Sequence, residues 1–144
     1  MKPAGLLLAA LLAAAPVLAG ARSEDGSLTV AFDGVARREG VVLLALFDSK
    51  AAYDANTNPV RTLTLPASGG DFSVTLAGLA PGTYAVKSFH DRDVNGKMNF
   101  NALGMPLEPY GFSNNARAPF GPPSWRRAAF DVKAGGNGMT IRLH

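Results

Sequence analysis

The sequence predicts an all-β fold, an antiparallel two-sheet sandwich of seven strands with a long ordered cap loop after the fifth strand. Three observations predict it. Past residue 26, apolar residues alternate with polar ones at a period of two and almost nowhere at helical spacing. Sixteen Gly and ten Pro in 144 residues cut the chain into short segments joined by turns. Cysteine is absent, which excludes a disulfide framework, zinc-thiolate and iron–sulfur centres and thiol nucleophiles, and leaves stability to packing, with a hard metal ion as the one available aid.

Each element has its own signature. Residues 27–36 set Leu28, Val30 and Phe32 on one face against Thr29, Ala31 and Asp33 on the other. Residues 41–47 are an unbroken apolar run, the pattern of a strand buried on both faces. Asp48-Ser49 forms an N-cap for a short turn of helix over 50–55. Residues 60–65 and 72–76 alternate again across a turn cluster at 66–70. The Pro81-Gly82 turn feeds a strand over 83–89, with Tyr84, Val86 and Ser88 on one side and Ala85, Lys87 and Phe89 on the other. Leu79-x-Pro81-Gly82-x-Tyr84 resembles the hairpin of transthyretin-like and carboxypeptidase-regulatory-like sandwiches. Residues 128–132 and 139–143 complete the seven, joined by the Gly-rich run 134–138, with Met139, Ile141 and Leu143 facing the core.

Organisation and compartment follow from the first residues. Lys2, an apolar run over 4–15, Pro16 and the small residues Ala19-Gly20-Ala21 read as a secretory signal over residues 1–21, cleaved after Ala21, with Val17-Leu18-Ala19 the second choice of site. The apolar run is shorter than the roughly 20 residues a membrane span needs. Residues 22–144 then form one domain, periplasmic or secreted, with no integral membrane segment after cleavage. A formal net charge of +3 without a basic stripe excludes nucleic acid as a partner.

Residues 90–124 hold no sustained period, and loops beyond about 15 residues are usually functional or disordered. This one carries Phe100, Leu103, Met105, Tyr110, Phe112 and Phe120, too many apolar anchors for disorder, so it reads as an ordered cap packed on one end of the sandwich. Its motifs are His90-Asp91, Asn95-Gly96-Lys97, Leu103-Gly104-Met105-Pro106, the run Tyr110-Gly111-Phe112-Ser113-Asn114-Asn115-Ala116-Arg117, and Phe120-Gly121-Pro122-Pro123. Together with Ala45-Leu46-Phe47-Asp48 they resemble the bacterial secreted family filed as domain of unknown function 2141 over nearly the whole mature chain. The resemblance implies a secreted, prealbumin-like (transthyretin-like) β-sandwich and no particular reaction. One departure falls at Asn99, where an acid is often found in the family, so a cation site there has one carboxylate fewer.

Three functions compete for the cap. The first is a weak calcium site: residues 91–99 read D-x-D-x-N-G-x-x-N, with Asp91, Asp93 and Asn95 offering side-chain oxygens, Lys97 its carbonyl, and Asn99 or Asn101 a further amide oxygen. An EF-hand loop starting at Asp91 would need Glu at residue 102, which is Ala. The competing reading is an Asx-rich turn whose side chains cap their own backbone. The second function is binding of a small molecule, glycan or protein, with Tyr110, Phe112 and Trp125 as aromatic faces and His90, Ser113, Asn114, Asn115 and Arg117 as polar contacts; here the bland alternative is that aromatics anchor the cap and amides satisfy its backbone. The third is a small extracytoplasmic hydrolase using His90 and Asp91, which lacks every recognised catalytic motif and whose neighbouring residues point to opposite faces of a strand. The expectation is therefore a non-catalytic binding or structural module with Ca2+ as the one candidate cofactor.

Overall fold

In the computed structural model residues 24–35 and 38–144 are described; the leader over residues 1–21 and its cleavage lie outside them. Eight strands form two sheets: β1 (Gly26–Asp33), β2 (Val41–Phe47), β3 (Arg61–Pro66), β4 (Phe72–Leu79), β5 (Gly82–Asp91), β6 (Tyr110–Phe112), β7 (Phe130–Val132) and β8 (Gly135–Arg142). Two short helices, α1 (Lys50–Ala55) and α2 (Trp125–Ala128), and a 3-10 turn (Ser113–Asn115) fill the connections. One sheet has the order β4-β1-β8, the other β3-β2-β5-β6 with β7 also on β5.

The alternation read from the sequence produces the main core. Leu28, Val30 and Phe32 of β1, Val42, Leu44 and Leu46 of β2, Val86 of β5 and Ile141 of β8 all lie buried between the sheets. On the outer face of the smaller sheet the Thr29 and Thr75 hydroxyls meet at 2.8 Å across the β1–β4 register. The apolar run of β2 is buried on both faces only at its end. Val41, Leu43 and Ala45 are half-buried, whereas Phe47 joins Tyr53, Ala85 and Ala128 in a second cluster beneath the helices. Ser49 caps α1 as expected, its hydroxyl accepting from Ala52 N at 3.3 Å. Tyr53 is the centre of that cluster: its ring meets Phe47 and Trp125 edge-on at 5.7 Å each, and its hydroxyl donates to Pro123 O at 2.9 Å. Burial pushes that hydroxyl up to about 12. Lys87 lies over the Tyr53 ring at 4.3 Å and donates to Tyr53 O at 2.6 Å, and the same burial lowers its ammonium from the ordinary lysine value.

Several expectations are corrected. Among the described residues the strands number eight rather than seven, because β6 forms inside the segment read as a loop, and the sandwich is not wholly antiparallel, because β8 pairs β1 in parallel. The Gly-rich run at 135–138 is strand rather than hairpin turn: its residues pair with 26–29, and β7 and β8 sit in different sheets, so only residues 133–134 need to connect them. Residues 125–128 are helix, and β7 begins at Phe130. The cap is also less packed than its apolar residues suggest. Tyr110 and Phe112 are tucked in, but Phe100, Met105 and Leu103 are more than half exposed and Phe120 is 93 % exposed.

The edge of β5 away from β2 is completed in pieces. β6 pairs with residues 87–89 and β7 with residues 82–84. Between them Val86 N has no strand partner, and Ser113 Oγ takes its place, accepting from Val86 N at 2.9 Å and donating to Ala128 O at 2.5 Å. β6 also meets the end of the other sheet: Tyr110 and His144 exchange two backbone hydrogen bonds of 3.1 and 3.0 Å. Gly111 fits this seam because a Cβ there would lie 2.5 Å from Arg142 O and 2.8 Å from Ile141 Cγ2. Gly111→Ala is expected to destabilise the domain by about 1–3 kcal/mol through overpacking, measured by urea unfolding.

Candidate functional site

β5 runs to Asp91 and delivers two residues to opposite faces. His90 is buried with the core-facing set, and its Nε2 donates to Glu39 O at 2.6 Å, which fixes the proton on that nitrogen. Asp91, fully buried, turns the other way into the cap. One carboxylate oxygen accepts from Asn95 N at 3.2 Å and the other from Gly96 N at 2.7 Å. These bonds fold the chain back over Val94, whose φ of 55° is unfavourable for a β-branched residue. Gly96, at φ 77°, supplies the following left-handed position without strain.

Glu108 arrives from the far side of the loop. An isolated bridge between Phe100 and Pro106, and Leu107 N donating to Asn99 O at 2.8 Å, return the chain toward Asp91. The Glu108 carboxylate is 5 % exposed and accepts from Arg92 N at 2.8 Å and Asn99 N at 3.1 Å. Asp93 completes the group: carboxylate oxygens of Asp91, Asp93 and Glu108 all lie within 4.8 Å of one another. The ion pairs among the described residues, Lys50–Asp54 and Arg142–Asp33, do not involve this cluster. Asn99 Nδ2 donates to Asp93 at 2.8 Å, and this bond, ahead of smaller contributions from Asp91 and the Asn95 backbone, holds the Asp93 carboxyl below the usual carboxylate range against the opposing effect of desolvation. Three oxygen donors with no imidazole or thiolate suit a hard cation of the calcium type.

The amides expected beside these carboxylates are occupied otherwise. Asn95 Oδ1 accepts from Lys97 N at 2.8 Å and Asn99 Oδ1 from Asn95 Nδ2 at 2.7 Å. Asn101 belongs to a separate turn, its Oδ1 accepting from Leu103 N and Met105 N. Glu108 was not singled out in the sequence, although it is the sole acidic residue between Asp93 and Asp131.

The aromatic and amide residues divide into separate groups. Tyr110 and Phe112 pack edge-on at 5.8 Å, while Trp125 lies against Tyr53 in the second cluster. Asn114 and Asn115, at φ 59° and 48°, staple backbones: Asn114 Nδ2 donates to Arg127 O and Ala129 O, and Asn115 bonds both Thr140 O and Arg142 N on β8. Arg117 is exposed and its guanidinium donates to His144 Nε2 at 2.5 Å. Arg142 and His144 lie beside it, brought there by the end of β8 and not foreshadowed by their spacing in the sequence.

A two-sheet β-sandwich with an ordered cap, in which the edge of one strand is sealed from the loop side, is the class of protein these features define. Residues 30–140 match the family described as an uncharacterised protein conserved in bacteria, domain of unknown function 2141, and the chain belongs to that family. No curated protein and no solved structure matches the chain. Ser113→Ala is expected to cost about 2 kcal/mol, because it orphans the buried Val86 N–H and Ala128 carbonyl; guanidinium unfolding at unchanged m-value checks it.

Proposed function

We propose that this protein is an extracytoplasmic, non-catalytic β-sandwich module of the prealbumin-like type whose cap is organised by a hard divalent cation, calcium being the expected ion. The observation that carries the reading is the convergence of Asp91, Asp93 and Glu108 within 4.8 Å with no cationic side chain paired to them among the described residues. Like charges this close repel unless a cation or protons intervene. Asp91, Asp93 and Glu108 would supply the first oxygens, with Lys97 O and water as candidates for the rest. Such a site lacks a bidentate Glu at the twelfth loop position and belongs with extracellular sites of roughly 0.1–1 mM affinity. Placement outside the cytoplasm is supported by the leader-like residues 1–21, and among the described residues no helix is long and apolar enough to cross a membrane. The engagement of His90 Nε2 with Glu39 O supports a structural rather than a proton-transferring imidazole.

The test is thermal unfolding of the mature domain in EDTA and in about 10 mM calcium, a concentration that should stabilise it by roughly 1.5–2.5 kcal/mol, or about 6–10 °C. Glu108→Gln and Asp93→Asn keep the side-chain shape but each gives up a carboxylate acceptor in the loop; read against each variant's own melting temperature in EDTA, both should abolish the calcium-dependent rise. A wild-type melting temperature indifferent to calcium, or a rise that survives both substitutions, would overturn the cation reading.

A further inference from the structure

We infer that the crevice between β6 and the end of β8 is a binding site for a small organic oxyanion, a carboxylate or phosphate carried on an apolar body. It lies apart from the acidic cluster and does not depend on the cation reading. The crevice encloses about 150 Å3, with a contiguous hollow of about 300 Å3 that shares Arg117, Arg142 and His144 with it.

Its walls have complementary chemistry. The Arg117 guanidinium faces no carboxylate among the described residues; its side-chain partner is the neutral imidazole nitrogen of His144 at 2.5 Å. Arg117 is itself steadied from behind, where Arg127 Nη1 donates to Arg117 O at 2.9 Å. Arg142 commits Nε to Asp33 Oδ2 at 2.8 Å and its backbone N–H to Asn115 Oδ1 at 2.8 Å, which fixes the strand and leaves terminal guanidinium donors for a ligand. Two guanidinium groups stand against the carboxylate of Asp33, which holds only Arg142 Nε, and the terminal carboxylate of His144, which accepts from Tyr110 N, so neither carboxylate is ion-paired to Arg117. The apolar wall is the edge-on Tyr110–Phe112 pair, and Phe120, 93 % exposed, sits in the chain beside the lining residue Gly121. A planar or short apolar body attached to the anion would cover these rings.

The imidazole gives the site a pH dependence. The groups facing it are Arg117 after the 3-10 turn, Arg142 on β8, Asp33 on β1 and its own terminal carboxylate, an oxygen of which accepts from Tyr110 N. Burial, then Arg117 and Arg142, hold His144 below the ordinary histidine value, with Asp33 opposing. A guanidinium can only donate, so His144 Nε2 accepts from Arg117 and carries no proton in this arrangement. An arriving oxyanion adds negative charge beside the imidazole and favours its protonated form, so binding draws a proton onto His144 and affinity rises as pH falls.

The experiment is calorimetric titration of the mature domain with benzoate, phenylphosphate, acetate and inorganic phosphate at pH 6 and pH 8. Benzoate or phenylphosphate is expected to bind with a dissociation constant on the order of 1 mM at pH 6 and more weakly at pH 8. Preference between those two probes separates a carboxylate from a phosphate source. Arg117→Met should weaken binding by about tenfold or more at unchanged melting temperature, and His144→Gln should remove the pH dependence while the site still binds. No heat from any of the four probes at about ten times that concentration, or binding undiminished in Arg117→Met, would overturn the proposal. Equal affinity for acetate and benzoate would overturn its apolar part.

Discussion

The open edge of β5 is the constraint on which the rest of the structure depends. A buried strand edge must find partners for each N–H and C=O, and no single strand here is long enough to serve the whole of it. Three residues of β6, one serine hydroxyl and three residues of β7 share the task. Because Ser113 must reach both Val86 N and Ala128 O, the chain leaving β6 cannot wander: it turns at Asn114 and Asn115, passes through 116–124 and returns as α2. The position of Arg117 beside β8, and hence the crevice it lines, follows from that repair. So does the close approach of β6 to β8 that only a glycine at 111 allows.

The other half of the cap obeys a different physics. With Phe100, Leu103, Met105 and Leu107 largely exposed, residues 92–108 bury little apolar surface and gain little hydrophobic stabilisation. Their order comes from carboxylates that accept backbone N–H groups: Asp91 from Asn95 and Gly96, Glu108 from Arg92 and Asn99. Charged acceptors make strong bonds, yet they concentrate negative charge in a place where Asp91 and Glu108 are shut off from water. A cation shared by the three carboxylates would remove that conflict without disturbing the bonds that shape the loop.

Much of the fold was legible because β-sheet periodicity is strictly local. Leu28, Val30 and Phe32 announce an inner face by spacing alone, and Ser49 announces a helix start by residue type. What was hidden depended on pairing. β6 is only three residues long, Tyr110-Gly111-Phe112, and becomes strand because β5 offers an unpaired edge, not because its own sequence insists. The glycines at 135, 136 and 138 read as a turn, since nothing local reveals that β1 lies alongside to receive them in parallel. In the cap, Asp91 and Asp93 were visible as an alternating pair, whereas Glu108 stands seventeen residues beyond Asp91 and reaches it through the 100–106 bridge, a contact without a sequence signature. Arg142 and His144 were hidden for the same reason, being far from Arg117 in sequence and near it only through the β6–β8 seam.

The central claim is that the 91–108 loop is drawn together on its three carboxylates by a cation. Amide hydrogen exchange of Arg92, Asn95, Gly96 and Asn99, followed with EDTA and then with millimolar calcium, tests it at the bonds concerned. The account predicts that these four amides slow markedly in calcium while the Val30 and Ile141 amides of the β1–β8 pair exchange at the same rate in both conditions. Identical protection of the four amides with and without calcium would contradict it, and would make the carboxylates caps of their own loop and nothing more.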